Sequence, residues 1–405
     1  MNAPQPSWSQ WKDWLAGTPL PAALVYLPAL DENIRRLSAK ARQAGKPLRV
    51  ASKSVRCVPL LRRILAKGEG AFRGLMCFAV PEAARLADAG FDDLLVAYPT
   101  VQAADMAQAA DLAERRVGFK LVVDSEQHLR ALDAAARQRR TVVDVVIELD
   151  VSYRPLHGRV HLGVRRSPLR DAAHVRRLAQ AAAALPGVRV VGLMGYEAHI
   201  AGLTDRNPFD GWFNTVKTAV KTLSVPDVRQ RRGAAVRALR DAGVAVALVN
   251  GGGTGSLDST GADDAVTELT AGSGFFCPHL FSYYRSLDLL PAAFFACQVV
   301  RASDPQYVTC AGGGYIASGQ VHRDKQPLPY LPAGLAPVAM EGAGEVQTPL
   351  RRAACREDLG LGDPILFRHA KAGELGERFN ELLLVDETGV VGRAPTYRGE
   401  GWVFF

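Results

Sequence analysis

LRVASKSVRCVPLLRRILAKGEGAFRGLMCFAVPEAARLADAGFDDLLVAYP, residues 48–99, is the stretch on which the fold turns. Three short apolar runs, LRVASKS (48–54), GLMCFA (74–79) and DLLVAYP (93–99), read as strands. Between the last two lies VPEAARLADAG (80–90), whose apolar residues recur at helical spacing and whose closing glycine is a C-cap signal. A buried strand, an amphipathic helix and another buried strand make one unit of a parallel sheet.

The same alternation continues downstream. KLVVDS (120–125), VDVVIELD (143–150), VRVVGLMGYEA (188–198), VALVNGGG (246–253) and VTELTAGSGFF (266–276) bring the strands to eight. Helical runs such as SEQHLRALDAAARQRR (125–140) and PLRDAAHVRRLAQAAAAL (168–185) separate them. Eight repeats with no reversal of order predict a closed (β/α)8 barrel of the TIM type, in the α/β class, rather than an open sheet. After about residue 285 the texture changes. FFACQVVRAS, QYVTCAGGGYIASG, PILFRHA, NELLLVDETGVVGRA and EGWVFF read as strands broken by Gly, Pro and charged turns. The expected division is a 1–30 N-terminal segment pairing with a β domain, a 31–285 barrel, and a 286–405 C-terminal, mainly antiparallel β domain.

Composition narrows the function classes. No segment approaches the ~20 apolar residues of a membrane helix, and the N-terminus shows no signal peptide, so a cytoplasmic location without a membrane partner is expected. Six scattered cysteines without a CxxC pair argue against a zinc ribbon or a disulfide framework. The net charge of +8 raises the question of nucleic acid, but the arginines are spread along Ala/Leu-rich helices such as HVRRLAQAAAAL (174–185). Such faces are solvated, and no nucleic-acid partner is expected.

Several residues stand where a barrel does chemistry, at the C-terminal ends of its strands. Lys53 ends the first strand, where an amine can bond covalently to a carbonyl carbon; alone it would be an ordinary solvated lysine. Asn250-Gly251-Gly252-Gly253-Thr254-Gly255-Ser256 and Ala271-Gly272-Ser273-Gly274 end the seventh and eighth strands. Two small-residue turns side by side can offer N–H and hydroxyl donors to a phosphate, although each by itself is only a tight turn. The sixth strand ends Gly195-Tyr196-Glu197-Ala198-His199, and strand alternation would put Glu197 and His199 on one face and Tyr196 on the other. Glu148 and Asp150 end the fifth, before a polar loop with Arg154, His157, His161 and Arg165.

The order of AALVYLPALDENIRRLSAKARQAG (22–45), RVASKSVRC (49–57), GLMGYEAHIAG (192–202), NGGGTGS (250–256) and ELTAGSGFF (268–276) resembles the D-threonine aldolase and D-serine dehydratase family. These are alanine-racemase-like (fold type III) pyridoxal-phosphate enzymes. The resemblance runs from about residue 20 to about 390. It implies pyridoxal 5'-phosphate as cofactor, a small-molecule amino-acid substrate, and a homodimer with the site at the interface. Lys53 would carry the cofactor. Gly252, Gly253, Thr254, Gly255, Gly272 and Ser273 would receive its phosphate. Tyr196 and Glu197 would border it, Arg165 would lie on the loop reaching its ring, and Thr270 would take the place where alanine racemases set an arginine against the ring nitrogen.

The resemblance departs at the metal. Relatives hold a divalent metal through a histidine and an Asp or Cys two positions on, whereas this chain has His369 followed by Lys371. One reading is a metal-free site in which the Lys371 ammonium stands in for the ion. The other is a displaced metal site completed by Glu374. The expected reaction is cleavage of a D-3-hydroxy amino acid between Cα and Cβ, with Glu197 or His199 as base. The alternatives are β-elimination of the D-serine dehydratase kind, racemisation with Tyr315 as a second base, a non-catalytic cofactor carrier, and a sugar-phosphate barrel enzyme without the cofactor.

Overall fold

The computed structural model describes residues 5–320 and 322–404. A first strand, β1 (Ala22–Tyr26), precedes eight parallel strands: β2 (Leu48–Ala51), β3 (Phe72–Cys77), β4 (Leu94–Val96), β5 (Phe119–Val123), β6 (Val143–Glu148), β7 (Val188–Gly195), β8 (Leu248–Gly251) and β9 (Glu268–Ala271). β2 to β9 close into a barrel in chain order. Closure comes from β9 pairing back on β2, Leu48 opposite Leu269 and Val50 opposite Ala271. The barrel interior packs Leu95, Val122, Val146, Met194 and Leu248. At its lower end the buried Arg49 forks onto Glu268, with Nε–Oε1 at 2.6 Å and Nη2–Oε2 at 2.7 Å. A two-pronged ion pair between the first and last barrel strands fixes the register of the seam.

All eight expected strands form, but each stops short of the end its apolar pattern suggests. β7 stops at Gly195 and Ala198–Ala201 is a helical turn; β9 stops at Ala271 and Ser273–Phe276 is another. Above the rim a strand has no neighbour to pair with, and the chain turns inward over the mouth. The alternation expected at Tyr196, Glu197 and His199 therefore does not apply. The expected glycine stop at Gly90 is present at φ 83°, and Gly45 and Gly243 also end helices, at φ 64° and 81°.

Eight further strands follow: β10 (Ala293–Arg301), β11 (Tyr307–Ala311), β12 (Leu328–Leu331), β13 (Leu335–Pro337), β14 (Gln347–Arg352), β15 (Pro364–Arg368), β16 (Glu381–Asp386) and β17 (Gly389–Pro395). With β1 they form a nine-stranded, mainly antiparallel sheet in which β1 lies between β10 and β16. The helix that starts at Leu27 continues to Ala44, so position 30 falls inside it. EGWVFF is not a strand. The ladder ends at Pro395, and Trp402 and Phe404 fold back on Tyr397 with ring centroids at 5.1 and 5.9 Å; Phe405 lies outside the described residues. Among the described residues no helix is long and apolar enough to cross a membrane.

Candidate active site at the mouth of the barrel

A cavity of about 870 Å³ opens over the C-terminal ends of the barrel strands, roofed by β-domain segments that include Ser318, Lys325, Lys371 and Glu374. Lys53 projects into it from the turn after β2, and its Nζ donates to the Tyr98 hydroxyl at 2.8 Å. Gly373 seats the roof against that turn: a Cβ there would stand 1.7 Å from the Lys53 carbonyl oxygen. Burial alone would raise the Tyr98 phenol, but the Lys53 ammonium beside it, with Arg166, holds it below its usual value. Arg166, not Arg165, enters the cavity. Its guanidinium lies 5.5 Å from the Tyr98 ring and 5.6 Å from the Tyr196 ring, while Arg165 is exposed outside the cavity. Burial, with the Glu197 carboxylate next, pushes the Tyr196 phenol up to about 12, so it stays protonated.

The glycine turns line the same cavity. Gly252, Gly253, Thr254, Gly272 and Ser273 face it together with Ser54, whose hydroxyl is 3.4 Å from that of Ser273. Gly255 lies beneath, packed so closely on Tyr284 that a Cβ would come within 2.3 Å of its ring. Thr270 is on the cavity floor, where its hydroxyl pairs with the Asn250 side-chain amide (2.8 Å). A neutral hydroxyl and amide stand there rather than a guanidinium.

Four expected residues are elsewhere. Glu197 is buried under the glycine turn, bonded to Arg232, Ser256 and Thr260, and does not line the cavity. His199 is buried behind the wall against Tyr153, and burial lowers it to about 4, leaving it neutral. Tyr315 packs edge-on to Phe295 and Phe379 within the β domain. His369 is buried with Nδ1 turned onto the Lys371 backbone, accepting from its N–H at 3.1 Å. Tyr98 and Arg166 escaped the sequence reading, although Tyr98 ends a predicted strand and could have been found by that position.

These residues fit pyridoxal phosphate. They supply a cavity amine, hydroxyl donors at small-residue turns, two flanking phenols and a guanidinium. At Gly272 a Cβ would stand 2.5 Å from Ser54 Oγ, in the space among those donors. They do not fit a divalent metal as placed. Among the described residues no three His, Cys, Asp or Glu side chains converge. Where a second ligand would stand, the Lys371 ammonium donates to Ser318 Oγ (2.8 Å) and lies 3.4 Å from Glu374.

If the glycine turn holds the phosphate, Gly253→Asp will weaken cofactor binding by at least about tenfold, because a carboxylate is placed against an anion. Its Cβ would also meet Ala201 at 3.0 Å. Titration of the apoprotein with pyridoxal phosphate measures this, and unchanged affinity would put the phosphate elsewhere.

A parallel barrel with a lysine at the first strand end, glycine turns at the last two, and a β domain for a roof defines an architecture found among known proteins. The model of the alanine racemase N-terminal domain matches residues 25–254, more than half of the chain, and the chain belongs to that family. D-threonine aldolase from Arthrobacter sp is 30% identical over 265 residues, 65% of this chain and 62% of that protein. D-threo-3-hydroxyaspartate dehydratase from Delftia sp. (strain HT23) is 28% identical over 263 residues, 64% and 62% of the two chains. The matches thus span less than two thirds of these relatives' lengths. The crystal structure of D-threonine aldolase from Filomicrobium marinum superposes with a TM-score of 0.80 at 22% identity, covering 96% of this chain and 98% of that one.

Proposed function

We propose that the chain is a pyridoxal-phosphate-dependent lyase that cleaves D-3-hydroxy amino acids between Cα and Cβ. The observation that carries this reading is the Lys53 amine, held by Tyr98 in the cavity at the barrel mouth. The names of two similar proteins, a D-threonine aldolase and a D-threo-3-hydroxyaspartate dehydratase, support it.

Lys53 would hold the cofactor, and the Ser54, Thr254 and Ser273 hydroxyls its phosphate. When bound, the cofactor supplies a sink for the electron pair left at Cα. Arg166, whose guanidinium lies between the Tyr98 and Tyr196 rings, brings a positive charge that suits a carboxylate or phenolate. Lys371 and Glu374, paired in the cavity roof, would orient the substrate's β-hydroxyl. A fixed ammonium at that oxygen stabilises developing negative charge without a metal. Neither Glu197 nor His199 reaches the cavity, so neither is retained as the base. Tyr315 lies off the cavity too, which removes the support for racemisation.

A homodimer with the cavities at its interface belongs to this reading. Trp212 and Phe213, 76% and 50% exposed beside the cavity, are the apolar surface such a contact would cover. Incubating the holoprotein with D- and L-3-hydroxy amino acids tests the reaction. The expected products are glycine and an aldehyde from D isomers. Ammonia and a keto acid would make it a dehydratase, and no turnover with any amino acid would make it a carrier.

A further inference from the structure

The run Asn250-Gly251-Gly252-Gly253 invites a reading in which every glycine serves a phosphate. The structure divides their labour. Beneath the turn lie Glu197 and Arg232, each 1% exposed, and Asp263, 3% exposed. Arg232 belongs to the long helix Phe213–Asp241. Its Nη2 donates to Glu197 Oε2 (2.8 Å) and to the Gly195 carbonyl (2.8 Å), and its Nη1 donates to Asp263 Oδ2 (2.5 Å). Glu197 Oε2 also accepts the Gly252 N–H (3.3 Å), while Oε1 accepts the Ser256 hydroxyl (2.8 Å) and the Thr260 hydroxyl. The Gly253 N–H donates to Ser256 Oγ (3.1 Å).

Two glycines of the run are thus explained by what lies below them. A Cβ on Gly251 would stand 2.9 Å from Arg232 Nη2, so a side chain would displace the guanidinium. Gly252 adopts φ +93°, a conformation that costs other residues energy, and its N–H points down to Glu197. The N–H groups of residues 252 and 253 are both consumed internally. What remains for an anion is the outer face of the turn.

From this we infer that Glu197 and Arg232 are positioning residues that clamp the turn after β8 and set the affinity of the phosphate site, acting through the turn rather than on the substrate. Glu197 ties residues 252, 256 and 260 to one carboxylate, and Arg232 ties that carboxylate to the end of β7 and to Asp263. A buried carboxylate with this many donors fixes the geometry of all of them at once. The inference rests on the reading that this turn takes the phosphate.

The test compares pyridoxal phosphate with pyridoxal, which lacks the phosphate, in titrations of apoprotein followed by absorbance. In the wild type pyridoxal phosphate should bind more tightly. In Glu197→Gln, whose single accepting oxygen leaves an NH2 donor facing either the Ser256 and Thr260 hydroxyls or Arg232 and the Gly252 N–H, the Kd for pyridoxal phosphate should rise at least about tenfold, and that for pyridoxal by less than about twofold. Thr260→Val removes one hydroxyl donor at nearly constant volume and should shift the same preference by about threefold, deciding the matter if Glu197→Gln folds poorly. At saturating cofactor the pH profile of turnover should keep its shape in both variants. Unchanged phosphate selectivity, equal loss for both ligands, or loss of a pH limb would overturn the clamp. A wild type that binds both ligands equally would instead overturn the phosphate reading beneath it.

Discussion

Lys53→Ala will be colourless after reconstitution with pyridoxal phosphate and will retain less than about one thousandth of the turnover with any amino acid. The wild type should be yellow, with a visible band that borohydride abolishes as it fixes the cofactor to the chain. The size of the loss follows from the absence of a substitute. Among the described residues three other lysines line the cavity, Lys217, Lys325 and Lys371, but they are paired with Asp210, Asp324 and Glu374 and reach it from the long helix and the β domain. None stands at the end of β2. The side chain of Lys53 is exposed to the cavity rather than packed in the core, so thermal stability should change little. A variant that still carries a borohydride-reducible bond to the cofactor would show that another amine holds it.

The second large effect concerns Lys371. Activity will survive treatment with a chelator, and Lys371→Ala will lower turnover by about a hundredfold to a thousandfold, the range seen when one fixed donor is removed from a developing oxyanion. The reason is electrostatic. Lys371 Nζ, held 2.8 Å from Ser318 Oγ and 3.4 Å from Glu374, places a positive charge where a divalent ion would need a negative ligand. Burial lowers the His369 imidazole below its usual range, and its Nδ1 is already turned onto the Lys371 backbone. Such a site repels a cation and can itself polarise a hydroxyl. The opposite result is equally concrete: an enzyme inactivated by chelator, restored by manganese or zinc, and indifferent to Lys371→Ala.

The sequence by itself determined the barrel, because a parallel strand buried on both faces and an amphipathic helix each leave a local period that needs no partner to be seen. It placed Lys53, since a strand end is a local feature and barrel chemistry gathers at one end. It marked the turns at 250–256 and 271–274, because glycine reports a backbone requirement directly. Only the tertiary structure decided what those turns rest on. Arg232 is 35 residues from Glu197 along the chain, and nothing in a helical run announces that one of its arginines is buried against a strand end. The choice between Arg165 and Arg166 also lay beyond local pattern, since in an irregular loop neighbouring side chains have no fixed phase. Glu197, read as a base from its place after β7, became a structural carboxylate once barrel closure set Gly252, Ser256 and Thr260 around it. Local periodicity reports which faces are apolar, whereas the partner of a buried charge is fixed by closure of the barrel, which brings together residues that the chain keeps apart.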